Sequence, residues 1–303
     1  MSVNVTHGPP SLSTSNSSIS IFYFYCQNSL ASLILGTIYT VTFTLFLFPL
    51  CILVLYIGFQ RWRHQRSVPT GQTTSHTDVL TYHTIGVDIF AVLGSVFYIV
   101  GTYNRMDTVL MIGVLLFCIV FPGHTLLHSL TCVEPYLAVV HPITYQRLRQ
   151  SLGVRIRNIT LGCVWLLCFG WIGVTIKHLP DFPVLPLLCL LGISVIVVLF
   201  FFFSVLKVLT RPGPGVGPRE RVDQSKQRAL HIITAIVGVL LLRFVSLLLS
   251  VGLFNLKSSN QLLECILLDC GLILALPSSL VQPLLFLHRA GKLACCRRNT
   301  ESG

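Results

Sequence analysis

With 303 residues, 53% hydrophobic and only 10% charged, the chain is too apolar to be a soluble domain of its length. The formal net charge of +11 does not call for nucleic acid. The basic residues sit in short connections beside apolar runs, where membrane topology and contact with anionic lipid are the simpler cause.

The first segment, residues 1–29, is polar and rich in Ser, with no basic region leading into an apolar core, so no cleavable signal peptide is expected. Two glycosylation acceptors begin at Asn4 and Asn16. A bilayer core needs about 20 mostly apolar residues per helix. Seven runs qualify, near 30–59, 79–102, 108–140, 158–177, 184–209, 227–254 and 264–287. The alternating segments of a membrane strand barrel are absent. The expected fold is an all-α seven-helix membrane bundle over 30–287, followed by a tail at 288–303.

Lys and Arg set the orientation. Of the 21, the connections after spans one, three and five and the tail hold 17. The N-terminus is therefore expected outside and the C-terminus in the cytoplasm, in a multi-pass protein of the plasma membrane.

Individual residues then stand out in chain order. Pro49 lies inside span one, where it frees a carbonyl and favours a kink. Asp88 is an acid inside span two, costly unless paired or functional. His124 and His128 share one face of span three. Span three ends in Glu134-Pro135-Tyr136, with His141-Pro142 just beyond. Span four carries Trp165, and span five is followed by the breaker RPGPGVGP. Arg243 places a permanent charge within span six, and Asp269, near the outer end of span seven, is its nearest candidate partner by topology. Paired, the two would be structural; unpaired, Arg243 would favour an anionic ligand. Span seven closes with Ser278, Ser279 and Gln282-Pro283-Leu284-Leu285-Phe286. After it, Arg289, Lys292 and Leu293 fit a short amphipathic helix on the membrane face, with Cys295 and Cys296 placed for palmitoylation. No nucleophile, base or metal-ligand set converges, so neither an enzymatic activity nor a cofactor is expected.

The triplet Glu134-Pro135-Tyr136 before Pro142, Asp88, Trp165 and Pro283 together resemble the motifs of rhodopsin-like (class A) G protein-coupled receptors, as a divergent orphan branch. The likeness in topology covers nearly the whole chain, but spans one, five and six depart from the family's pattern. It implies an unknown extracellular ligand and a cytoplasmic partner, a heterotrimeric G protein or arrestin. Glu134, Pro135, Tyr136, Gln282, Pro283 and Phe286 would form the coupling end. Pro135 stands where the family has arginine, which argues against strong coupling. Glu134 is then expected to seek a cytoplasmic cation such as Arg147 or Arg149, or to be protonated at the membrane edge, leaving Tyr136 and the loop 141–149 to contact any partner. The resemblance also groups Asp88, His124, Ser278, Ser279 and Gln282 as a buried polar pocket, where the family holds sodium. Here either a cationic imidazole or a neutral hydrogen-bonded cluster would fill it. Phe117 falls where amine receptors carry an acid, leaving an apolar ligand pocket or a packed face. Leu110 falls where the usual outer disulfide has a cysteine. A Cys26 to Cys265 bridge is implied by likeness to the chemokine group, against two free thiols. The alternative functions are a non-signalling scavenger or scaffold in the same architecture, or a channel or transporter.

Overall fold

The computed structural model describes residues 29–67, 76–148, 151–178, 184–210, 219–255 and 261–290. The described chain is all α: α1 Leu30–Ser67, α2 His76–Asn104, α3 Asp107–Val140, α4 Pro142–Leu148, α5 Ser151–His178, α6 Val184–Leu209, α7 Arg219–Asn255 and α8 Gln261–Arg289. All but α4 are long and apolar enough to cross a membrane. Asn4, Asn16, Cys26, Cys295, Cys296 and the amphipathic helix expected after Arg289 lie outside the described residues.

The helices run further than the apolar runs do. α1 continues to Ser67, and α7 begins at Arg219, eight residues before the apolar count starts. Hydropathy registers only what lipid must cover, whereas backbone hydrogen bonding carries a helix on into polar flanks. Proline does not stop them either. α1 runs through Pro49, α3 through Pro122 and Pro135, and α8 through Pro277 and Pro283.

α3 is the central helix. In its most apolar stretch 56% is buried, against 22% for α5 and α6, and it packs on α2, α4, α5, α6 and α7. One apolar cluster joins α1, α2, α3, α5 and α8, around Leu47, Val54, Ile85, Leu127, Cys168 and Phe286. A second joins α6 and α7 to α3 and α8, around Leu187, Leu191, Val198, Leu240, Phe244 and Leu247.

Two turns explain how α3 is aimed. At its start only Arg105 and Met106 separate it from α2. The Met106 N–H donates to the Gly101 carbonyl at 2.9 Å, and the Arg105 N–H to Thr102 at 3.4 Å, with Arg105 at φ 54°. This is a Schellman ending, with arginine in the left-handed position that glycine usually fills. At its far end α3 stops at His141, whose N–H still reaches the Leu137 carbonyl at 3.0 Å. A residue before proline is pushed out of the helical region, and proline suits the first position of a new helix. His141-Pro142 therefore ends α3 and starts α4, a helix in what reads from sequence as a loop.

The tight turn forces α2 and α3 together over their next two turns. A Cβ on Gly101 would lie 2.7 Å from the Leu110 Cα, and one on Gly113 would lie 2.6 Å from the Tyr98 backbone nitrogen. Small residues let membrane helices approach backbone to backbone. We expect Gly113→Val to destabilise the protein by about 2 kcal/mol or more, because rigid backbone rather than a movable side chain blocks the added atoms. Thermal unfolding in detergent would show a midpoint lowered by several degrees, whereas Gly162→Val, with nothing near the added Cβ, should change it little.

Candidate functional site

The polar residues of spans two, three, six and seven converge midway through the bundle. Asp88 of α2, His124 and His128 of α3, Arg243 of α7, and Ser278, Ser279 and Gln282 of α8 are all buried. The His124 Nε2 lies 3.1 Å from the Asp88 Oδ1. That is an ion-pair distance, although neither group completes a hydrogen bond of good geometry. The His124 and His128 rings meet edge to face, 5.3 Å apart.

Arg243 belongs to this cluster. Its Nη1 donates to the Ser278 hydroxyl at 2.9 Å and to Ser279 at 3.4 Å, and Ser278 in turn donates to the Ala275 carbonyl at 2.7 Å. Arg243 and Asp88 do not form an ion pair; His124, which lies against Asp88, lines the same small cavity as Arg243. The pairing expected with Asp269 is not formed. Asp269 accepts a hydrogen bond from Ser32 of α1 instead. It lies nine residues before Ser278 on α8, which at ~1.5 Å per residue is about 13 Å along the axis. Arg243 therefore meets α8 too far from Asp269 to reach it.

Next to Arg243 is a cavity of about 20 Å³, shared with Tyr39, Phe117, Phe121, His124 and Ser279. Such a space suits about one water molecule, and the Arg243 Nε beside it has no partner among the described side chains. Phe117 is thus part of a packed face. The space beside it does not fit a ligand of any size.

A larger cavity, about 430 Å³, opens between α3, α6, α7 and α8 at the end of the bundle where the basic residues gather. Its walls are apolar, including Phe202, Val205, Ile236 and Leu240, and its inner end reaches His128, Ser278 and Gln282. The cavity therefore runs up to the polar cluster. Neither ring nitrogen of His128 has a hydrogen-bond partner.

Of the residues that the resemblance groups at the coupling end, Glu134, Pro135 and Gln282 line this cavity. Glu134 was expected to seek Arg147 or Arg149. Arg147 is exposed and Arg149 lies outside the described residues, while the Tyr145 hydroxyl donates to the Glu134 Oε1 at 3.1 Å. The cause is α4, which folds back under α3 and presents its inward face to Glu134. The Tyr136 ring packs 4.9 Å from that of Phe201, and its hydroxyl lies 3.3 Å from the His141 Nε2 at an exposed position. Phe286 is fully buried, with Tyr82 edge-on at 5.7 Å and the Arg61 guanidinium 5.3 Å above its ring. Around it Asp78 faces Arg61 at 3.8 Å and Arg289 at 4.0 Å. Phe286 and these charges tie α1, α2 and α8 together. Pro283 is buried within α8 beside Gln282.

Cys265 is buried and is not one of the free thiols. Its expected partner Cys26 lies outside the described residues. Sequence reasoning missed Tyr145 and the place of Arg243 in the pocket. The spacing of Glu134 and Tyr145 across a His-Pro helix break was the available signal for the first. No family model and no curated protein matches this chain.

Removing one buried charge leaves the other uncompensated, whereas removing both is tolerated far better. Arg243→Met and Asp88→Asn should each destabilise the fold by about 3 kcal/mol, and the double variant should recover much of that loss. Thermal unfolding of the four proteins in one detergent checks it. Additive losses would show that the two charges do not compensate each other.

Proposed function

We propose that this chain is a rhodopsin-like seven-helix receptor of the plasma membrane, with its basic end in the cytoplasm and a partner docking there. The observation that carries the reading is the 430 Å³ cavity, which opens among the basic connections and ends on His128, Ser278 and Gln282. A partner entering it would meet residues bonded to the charges at the centre of the bundle, since Ser278 is held by Arg243. Docking and the arrangement of α7 against α8 would then be coupled. A ligand on the opposite face that moves α7 would bias the same contacts.

Pro135 shapes what the partner can be. It has neither charge nor donor, and Glu134 is engaged by Tyr145. We propose that ligand-driven G protein turnover is weak or absent, and that an arrestin-type or scaffold partner is served by the same cavity. The Cys26 to Cys265 bridge, the outer glycans on Asn4 and Asn16, and palmitate on Cys295 and Cys296 belong to this reading. A non-signalling scavenger is the second reading, favoured by Pro135 itself. No enzymatic role or cofactor enters either.

Nucleotide exchange in membranes carrying the chain, with and without Pro135→Arg, tests coupling. Exchange near background for the unmodified protein and a rise with the arginine are expected. Robust exchange that the substitution leaves unchanged would overturn the reading of the triplet. Orientation is checked on intact cells, where an epitope after Gly303 should stain only once the membrane is permeabilised.

A further inference from the structure

A second cavity, about 140 Å³, lies at the basic end between α2, α3, α4 and α5. Most of its wall is apolar, with Leu80, Leu130, Val133, Ile156 and Leu161. Two charged side chains line it, Glu134 and Arg157. Each is satisfied in part. The Glu134 Oε1 takes the Tyr145 hydroxyl at 3.1 Å, while its Oε2 is shielded from solvent with no hydrogen-bond partner. The Arg157 Nε and Nη2 reach the Asn158 Oδ1, both at the long distance of 3.4 Å, while its Nη1 is shielded and has no such partner. The two side chains are not among the ion pairs that the described residues form.

Shielded polar atoms are costly unless something meets them, and those of charged groups most of all. Here two side chains of opposite charge line one cavity, and each carries one shielded atom, an acceptor on Glu134 and a donor on Arg157, with no hydrogen-bond partner among the described residues. A partner that satisfies both needs an anionic oxygen for Arg157 and an N–H donor for Glu134. It also needs an apolar body to lie along Leu130, Val133 and Ile156. The position agrees with this chemistry. α3 ends six residues after Glu134 and α5 begins six residues before Arg157, which puts both near the headgroup level of a bilayer spanned by these helices.

We propose that this cavity binds a membrane phospholipid bearing a phosphate and a primary ammonium, with the phosphate on Arg157 and the ammonium on Glu134. Pro135 contributes by omission, since it offers Glu134 no neighbouring cation. The site does not depend on the receptor reading, and its test reads lipid-dependent unfolding rather than nucleotide exchange.

The test is thermal unfolding of the full chain in a lipid-free detergent, titrated with phosphatidylethanolamine, phosphatidylcholine or phosphatidylglycerol. Phosphatidylethanolamine should raise the midpoint by about 3 °C more than either of the others, because phosphatidylcholine has no N–H and phosphatidylglycerol has no amine. Glu134→Gln should abolish the preference for phosphatidylethanolamine over phosphatidylcholine, and Arg157→Gln should weaken the response to all three. Equal shifts across the lipids for the unmodified protein would overturn the proposal without any variant being needed. It would also be overturned if soluble phosphoethanolamine reproduced the shift alone. Strong coupling between Glu134→Gln and Arg157→Gln in the absence of lipid would overturn it too, since the two side chains would then be meeting each other directly.

Discussion

Arg243 cannot lose its charge, and it sits at the middle of a bundle with no bulk water to receive it. Every polar group near that height is arranged around this constraint. The guanidinium reaches Ser278 and Ser279 on α8 and shares a water-sized cavity with His124. Asp88 in turn lies against His124 of α3. A charge that would be prohibitive on a lipid-facing surface thereby becomes a registration device, because only one relative height of α2, α3, α7 and α8 brings these groups together. Sliding one helix by a turn would leave both Arg243 and Asp88 alone in an apolar interior.

Much of this architecture was legible from sequence, for a plain reason. Lipid demands long apolar runs, and the seven runs found by counting correspond to seven helices of the structure. The same counting was blind to α4 and to the polar extensions of α1 and α7, since those depend on turn chemistry and backbone hydrogen bonding rather than on lipid cover. Asp88, His124, Ser278, Ser279 and Gln282 are all buried, and only the resemblance offered helix heights from which to group them. Arg243 was given the wrong partner, because nearness in topology says nothing about height along the axis. Asp269 is on the right helix but about 13 Å from where Arg243 arrives. It answers Ser32 of α1 instead. Charge complementarity alone was a poor guide, and the rise per residue would have been a better one.

The basic end is organised by a helix break rather than by a buried charge. Glu134 has no following arginine, and the pair His141-Pro142 closes α3 and starts α4 at once, which swings Tyr145 back to Glu134. Arg147, the nearer of the two expected cations, is left exposed on the outer side of that short helix. A neutral hydroxyl thus meets one carboxylate oxygen and leaves the other without a hydrogen-bond partner among the described residues, in a side chain that lines the same cavity as Arg157. Phe286, meanwhile, does its work by packing. Its ring lies beneath Arg61 and against Tyr82, where three helices are fastened together.

These two regions are joined through one residue. Ser278 accepts a hydrogen bond from Arg243 on its central side and lines the 430 Å³ cavity on the other. Gln282, one turn further along α8, lines the same cavity, and His128 reaches it from α3. An occupant of the inner end of the cavity would lie beside the residue that holds the buried cation, and a shift of α7 would strain that same hydrogen bond. The coupling needs no chain of intermediates, since the shared element is a single side chain with two neighbours. Ser278→Ala would cut it at that point while leaving the apolar walls and the Asp88 to His124 contact in place. The substitution separates the two roles physically: the cavity keeps its shape, and Arg243 falls back on Ser279, its weaker acceptor at 3.4 Å.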